Sequence, residues 1–188
     1  MSRGEANRNG RDRPRRELPP IDGERLRELA LRYVGRFATT RAKLSDYLRR
    51  KLRERGWASQ EPADIDGLVE RLAELGYVDD AAFALNKAHS LTLRGYGEGR
   101  VRQALKIAGV SDDDGEEARD SAAAQAAEAA LVFARRRRLG PFAKERTDLA
   151  TRQKALAAMI RAGHSFTISK RLVDAEPGSE PLASDLLS

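Results

Sequence analysis

The sequence predicts an all-α fold in which tandem three-helix repeats stack into an elongated, curved array. Three observations predict it. Between residues 21 and 174 apolar positions recur at intervals of three and four, and no window alternates in the manner of a strand. Three helix ends share one pattern, an apolar residue followed four places on by glycine: Leu52 to Gly56, Leu105 to Gly109 and Met159 to Gly163, with the glycines 53 and 54 residues apart. The stretch RLAELGYVDDAAFAL at 71–85 compresses a helix end, an aromatic and a new helix start into one corner. Units this small cannot bury their faces alone, so they must stack on their neighbours.

The elements follow in order. Leu26, Leu29, Ala30, Tyr33, Val34 and Phe37 form the stripe of a first helix. Leu44, Tyr47, Leu48 and Leu52 form a second, capped by Thr39 or Thr40 and stopped at Gly56, and Ile65, Leu68, Val69, Leu72 and Leu75 a third, entered through Pro62. In the corner that follows, Gly76 takes the left-handed conformation that ends a helix and Asp79 or Asp80 caps the next. Tyr77 and Val78 are expected to be buried there, and with Phe83 the corner is expected to hold two units at a set angle. On that reading Tyr77→Ala costs roughly 3 to 5 kcal/mol.

Beyond the corner come AAFALNKAHSLTLRG, then GEGRVRQALKIAG with Val101, Ala104, Leu105 and Ala108 inward, then an acidic start in which Ser111 and Asp114 have capping-box spacing. The third unit runs from an Ala-rich helix ending ALVFARRRR through TRQKALAAMIRAG to SFTISKRLV. The residues after the repeated glycines, Trp57, Val110 and Phe166, are expected to fold back on the helix ends. The expected boundaries are 21–76, 77–121 and 122–174, between a structureless basic tail at 1–20 and a second structureless tail at 175–188.

Composition excludes several classes of function. The chain has no cysteine, hence no disulfide, thiol nucleophile or thiolate metal site. No apolar run approaches the roughly 18 residues of a membrane span, and the N-terminus lacks the apolar centre of a secretory signal, so a cytoplasmic location without membrane contact is expected. The net charge of +6 permits a polyanionic partner, and its distribution is uneven. From Glu24 to Trp57 eleven Lys or Arg stand against four acids, whereas SDDDGEEARD at 111–120 holds six acids and one Arg.

No constellation points to catalysis, and no enzyme activity, cofactor or metal is expected. His89 and His164 are the only histidines, and neither has metal-ligand spacing. RGYGEGR at 94–100 follows a helix and lacks the GK[ST] ending of a phosphate loop, so it reads as a turn between helices. The acids near Asp112 lack the alternation of a calcium loop and complement a helix dipole instead.

The basic residues form three clusters. Lys43, Arg49, Arg50 and Arg53 turn away from the leucine stripe of the second helix, and Arg94, Arg100, Arg102 and Lys106 surround the helix whose entry carries Tyr96. A secondary cluster, Arg135, Arg136, Arg137 and Arg138, ends the Ala-rich helix and continues in Lys144 and Arg146. Three such clusters along an array suit an acidic protein or a phosphate backbone, bound with salt-sensitive affinity and without base readout.

The runs ALRYVGRFATTRAKLSDYLRRKLRERGW, LVERLAELGYVDDAAFA and RGYGEGRVRQALKIAGV resemble, in order and spacing, the RecX family of bacterial recombination regulators. The likeness is strongest from Leu29 to Val110 and continues in register through RQKALAAMIRAGHSF, while the Ala-rich third unit and its LGPFAKERTD connection depart from the pattern. The resemblance implies tandem three-helix repeats and a non-enzymatic modulator of the recombinase RecA. Its expected partners are RecA and the RecA filament on single-stranded DNA, with limitation of filament growth, ATP hydrolysis and strand exchange in homologous recombination and the SOS response. A monomer in contact with the filament, and with DNA directly, is the expected working form. The rival is a DNA-binding helical module that coats DNA through the same helices without RecA, and a lesser one is a nuclease built on the acids near Asp112.

Overall fold

The structure is a computed structural model that describes residues 19–187. The expected basic tail at 1–20 falls, as far as residue 18, outside the described residues. Ten α-helices follow in order: α1 (Gly23–Val34), α2 (Arg41–Arg55), α3 (Ile65–Glu74), α4 (Asp80–Leu93), α5 (Glu98–Ala108), α6 (Glu116–Ala124), α7 (Ala126–Arg137), α8 (Leu149–Arg161), α9 (Phe166–Asp174) and α10 (Ala183–Leu187). Among the described residues the sole extended pairing is one parallel bridge, Ile21 with Trp57, which lays the entering chain across the end of α2.

Six of the helices begin on a side chain that accepts from a first-turn N–H: Asp22, Thr40, Asp64, Asp79, Asp148 and Ser165 open α1, α2, α3, α4, α8 and α9. The ends are as regular. At Leu72/Tyr77, Leu91/Tyr96, Leu105/Val110, Ala134/Leu139 and Met159/His164, the later residue's N–H donates back to the earlier residue's carbonyl, closing the last turn around a residue of positive φ. Four of those five hinge residues are glycine, and the fifth is Arg138, at φ 55°.

Three apolar cores result. The first gathers Leu26, Ala30, Leu44, Leu48, Val69 and Val78; the second Ala84, Leu91, Val101, Leu105 and Ala118; the third Ala130, Phe133, Met159, Ile168 and Leu172. Each core belongs to one consecutive set of helices, as an array of small units requires.

Several expectations need correction. Tyr77 is 57% exposed; Val78, at 4%, is the corner residue that reaches the core, because the left-handed turn at Gly76 swings Tyr77 outward while its N–H stays on the Leu72 carbonyl. Phe37 and Leu75 lie past the ends of their helices and are exposed, so neither continues its stripe. Phe166 is exposed, and His164 fills the position behind Gly163. Residues 175–187 are not structureless: Leu186, 3% exposed, closes the third core from α10, and the Arg171 guanidinium donates to its carbonyl. The Ala-rich helix is broken at Gln125, and Ala122 packs in the second core, so the passage to the third core comes a few residues later than expected.

Candidate functional site

The surface that can meet a partner is organised by two joints, and both use one device. At the first joint the Thr40 hydroxyl accepts from Lys43 N–H and donates to the Ala108 carbonyl at 2.6 Å, so the end of α5 closes on the start of α2. A Cβ added to Gly109 would stand 2.3 Å from the Ala42 methyl. Arg41 N–H donates at 2.9 Å to Asp80, whose carboxyl is buried; burial pushes its pKa above the ordinary carboxylate value, against the opposing pull of Arg41.

At the second joint Gly97 and Gly99 N–H donate to the carbonyls of Ala162 and Gly163 at 3.0 and 2.9 Å, so the end of α8 closes on the start of α5. The N-terminal N–H groups of α5, which carries no side-chain cap, find their acceptors there, and the helix dipoles meet head to tail. The three glycines of RGYGEGR exist for this approach. A Cβ on Gly95 would meet the Phe133 backbone at 2.8 Å, and one on Gly97 the Gly163 carbonyl at 2.4 Å. The turn expected there is thus also a seam between units.

His164 locks the same seam. Its ring Nε2 lies 3.1 Å from the Gly95 carbonyl and donates to it in the neutral ring, while Nδ1 is buried without a partner. Burial holds the imidazole below its usual pKa of 6.5, outweighing the Gly95 hydrogen bond. His89 is exposed on α4 and takes no part.

The basic residues fall into distinct states on this frame. Arg49 pairs with Asp66 at 2.7 Å, Arg50 with Glu54 at 3.8 Å and Arg102 with Glu98, so part of the expected face is compensated at its own surface. Lys43 places Nζ 4.8 Å over the Phe83 ring, tying α2 to α4 across the first joint. Arg94 donates to the Ser90 carbonyl, and Arg53 and Lys106 are exposed with no carboxylate partner among the described residues. At the second seam Arg100 and Arg136 both approach the Tyr96 ring, at 6.0 and 5.9 Å, while Arg137 lies over Phe133 and Arg135 over Phe142. Two clusters that are separate in sequence therefore meet around one half-buried tyrosine.

The acids near Asp112 do not assemble into a site. Ser111 and Asp114 bond each other in the turn before α6, Arg41 approaches Asp114 at 3.8 Å, and Arg119 takes Asp112. Among the described residues no three His, Asp or Glu side chains gather as metal ligands, and no helix is long and apolar enough to cross a membrane.

Fold and surface together define a helical-repeat protein with two hydrogen-bonded joints and arginine-rich seams. The family model for RecX, second three-helix domain, matches residues 79–118, from the corner to the start of α6. A regulatory protein RecX of Myxococcus xanthus is 34% identical, covering 89% of this chain and 92% of its own, and one of Thermobifida fusca is 32% identical, covering 87% and 85%. The chain belongs to the RecX family of regulatory proteins. The crystal structure of RecX from Lactobacillus salivarius shares the fold at a TM-score of 0.58, with 16% identity, covering 80% of this chain and 93% of that one.

Proposed function

We propose that the protein regulates RecA by binding the RecA filament on single-stranded DNA, without chemistry of its own, and so limits filament growth, ATP hydrolysis and strand exchange. Membership of the RecX family, over nearly the whole chain, is the observation that carries this reading. The joints support it physically: three units held end to end offer several weak contacts at fixed spacing, and contacts linked rigidly gain affinity together. The contact face comprises Lys43, Arg49, Arg50, Arg53, Arg94, Arg100, Arg102 and Lys106, with Arg135 to Arg138 beside it. Binding of fluorescent single-stranded DNA filaments by wild type and by Arg53→Glu/Arg100→Glu/Lys106→Glu tests the assignment. Weakened, less salt-sensitive binding with unchanged helicity is the expected result, and unchanged binding refutes the face.

A second reading, direct DNA binding without RecA, is favoured by one observation. Tyr96 between Arg100 and Arg136 is built as a base-stacking platform flanked by phosphate ligands. Equal affinity for bare DNA and for the filament supports that reading over the first.

A further inference from the structure

At the corner between the first and second units a groove opens whose walls include Ala38 and Thr39 before α2, Tyr77 in the corner, and Ala82, Phe83 and Lys87 on α4. Its surface is mainly apolar, and it belongs to neither of the arginine seams. Tyr77 is more than half exposed, so one aromatic ring of the wall is left uncovered by the fold. Thr39 is only 6% exposed, yet its hydroxyl has no hydrogen-bond partner among the described residues.

The charges at the groove are two lysines and one carboxylate. Lys43 stands over Phe83, and Lys87 is part of the wall. The one carboxylate on the wall among the described residues, Asp79, is engaged in capping α4 through Ala82 N–H at 2.8 Å.

We propose that this groove docks an acidic segment of a protein partner that carries an aromatic anchor. The anchor lies between Phe83 and Tyr77, and flanking carboxylates meet Lys43 and Lys87. Charge complementarity selects the occupant: an apolar floor with separate lysines suits a carboxylate-flanked side chain. A phosphate backbone would be better served by the guanidinium-rich seam at Tyr96. The site shares Lys43 with the basic face of the preceding reading and otherwise lies apart from it, and its test uses no filament.

The experiment is an amide NMR titration of the full chain with the capped peptide Asp-Glu-Asp-Phe-Asp-Glu-Asp, its Phe-to-Ser counterpart, and an oligothymidylate. The phenylalanine peptide is expected to shift amides around Thr39 and from Tyr77 to Ser90, and to bind about tenfold more tightly than the serine peptide. Lys43→Glu/Lys87→Glu is expected to weaken it by about tenfold or more. Since Lys43 also holds Phe83, Lys87→Glu alone provides a variant outside the joint and is expected to move affinity in the same direction. Equal binding of the two peptides, shifts centred on Arg135 to Arg138, or the oligothymidylate occupying the groove would each overturn the proposal.

Discussion

Tyr77 and Val78 sit side by side and have opposite fates, and the difference decides what a mutation there does. With Tyr77 mostly exposed, Tyr77→Ala is expected to change stability by no more than about 0.5 kcal/mol, whereas Val78→Ala is expected to cost roughly 2 kcal/mol. Chemical denaturation of both variants checks this. The sequence marked the corner correctly, through Gly76 and Asp79, yet not which neighbour points inward. Periodicity stops where the helix stops, and direction beyond it depends on a left-handed turn whose exit angle no pattern encodes. His164 was legible only as an isolated histidine; its packing partner Gly95 is 69 residues away. Because the fold holds its pKa below 6.5, the neutral ring contributes stability that is full above that pH and is lost as pH falls through the lowered native pKa. Protonation would put a hydrogen on Nδ1, which has no acceptor. Wild-type Tm is therefore expected to fall on acidification below 6.5 more steeply than that of His164→Gln, and parallel pH profiles for the two would contradict this.

At the scale of elements, stripes, caps and glycine stops were readable, and the way helices end on one another was not. Thr40 reads as a cap in either case, and its second bond, to the Ala108 carbonyl, links residues 68 apart. The glycines of RGYGEGR read as a turn because a turn is sufficient to explain them locally. Their tight packing against Gly163 and Phe133 is a tertiary demand. Gly97→Ala keeps an ordinary backbone conformation, so any effect must come from the Cβ pressed against the Gly163 carbonyl. It is expected to cost about 1 to 3 kcal/mol by overpacking, while Gly23→Ala, which meets nothing within 4 Å, is the matched control with little effect. Equal unfolding midpoints for the two would remove the seam from the account.

Across the whole molecule, Gly56, at φ 80° and ψ 168°, closes α2 differently from the left-handed Gly109, and it was the three-and-four periodicity that made the helical class available. The distribution of usable charge was not. Arg49, Arg50 and Arg102 look outward on a helical wheel, but their acidic partners, Asp66 on α3 and Glu54 and Glu98 on their own helices, reduce what they offer a ligand. Arg100 and Arg136, distant in sequence, converge on Tyr96 because the glycine seam brings α5 and α7 together. If that seam contributes to polyanion binding, Arg100→Glu/Arg136→Glu lowers both affinity and its slope against salt, while Arg49→Glu has the smaller effect, measurable by anisotropy over a salt series.

The central claim is that the chain acts on RecA filaments selectively and by binding alone. It is tested most directly by the steady-state ATPase rate of RecA on single-stranded DNA with substoichiometric protein, beside an unrelated DNA-dependent ATPase. Loss of the RecA rate with the control unaffected is expected, and an equal loss in both, which marks a protein that merely coats DNA, would contradict selective action on the filament.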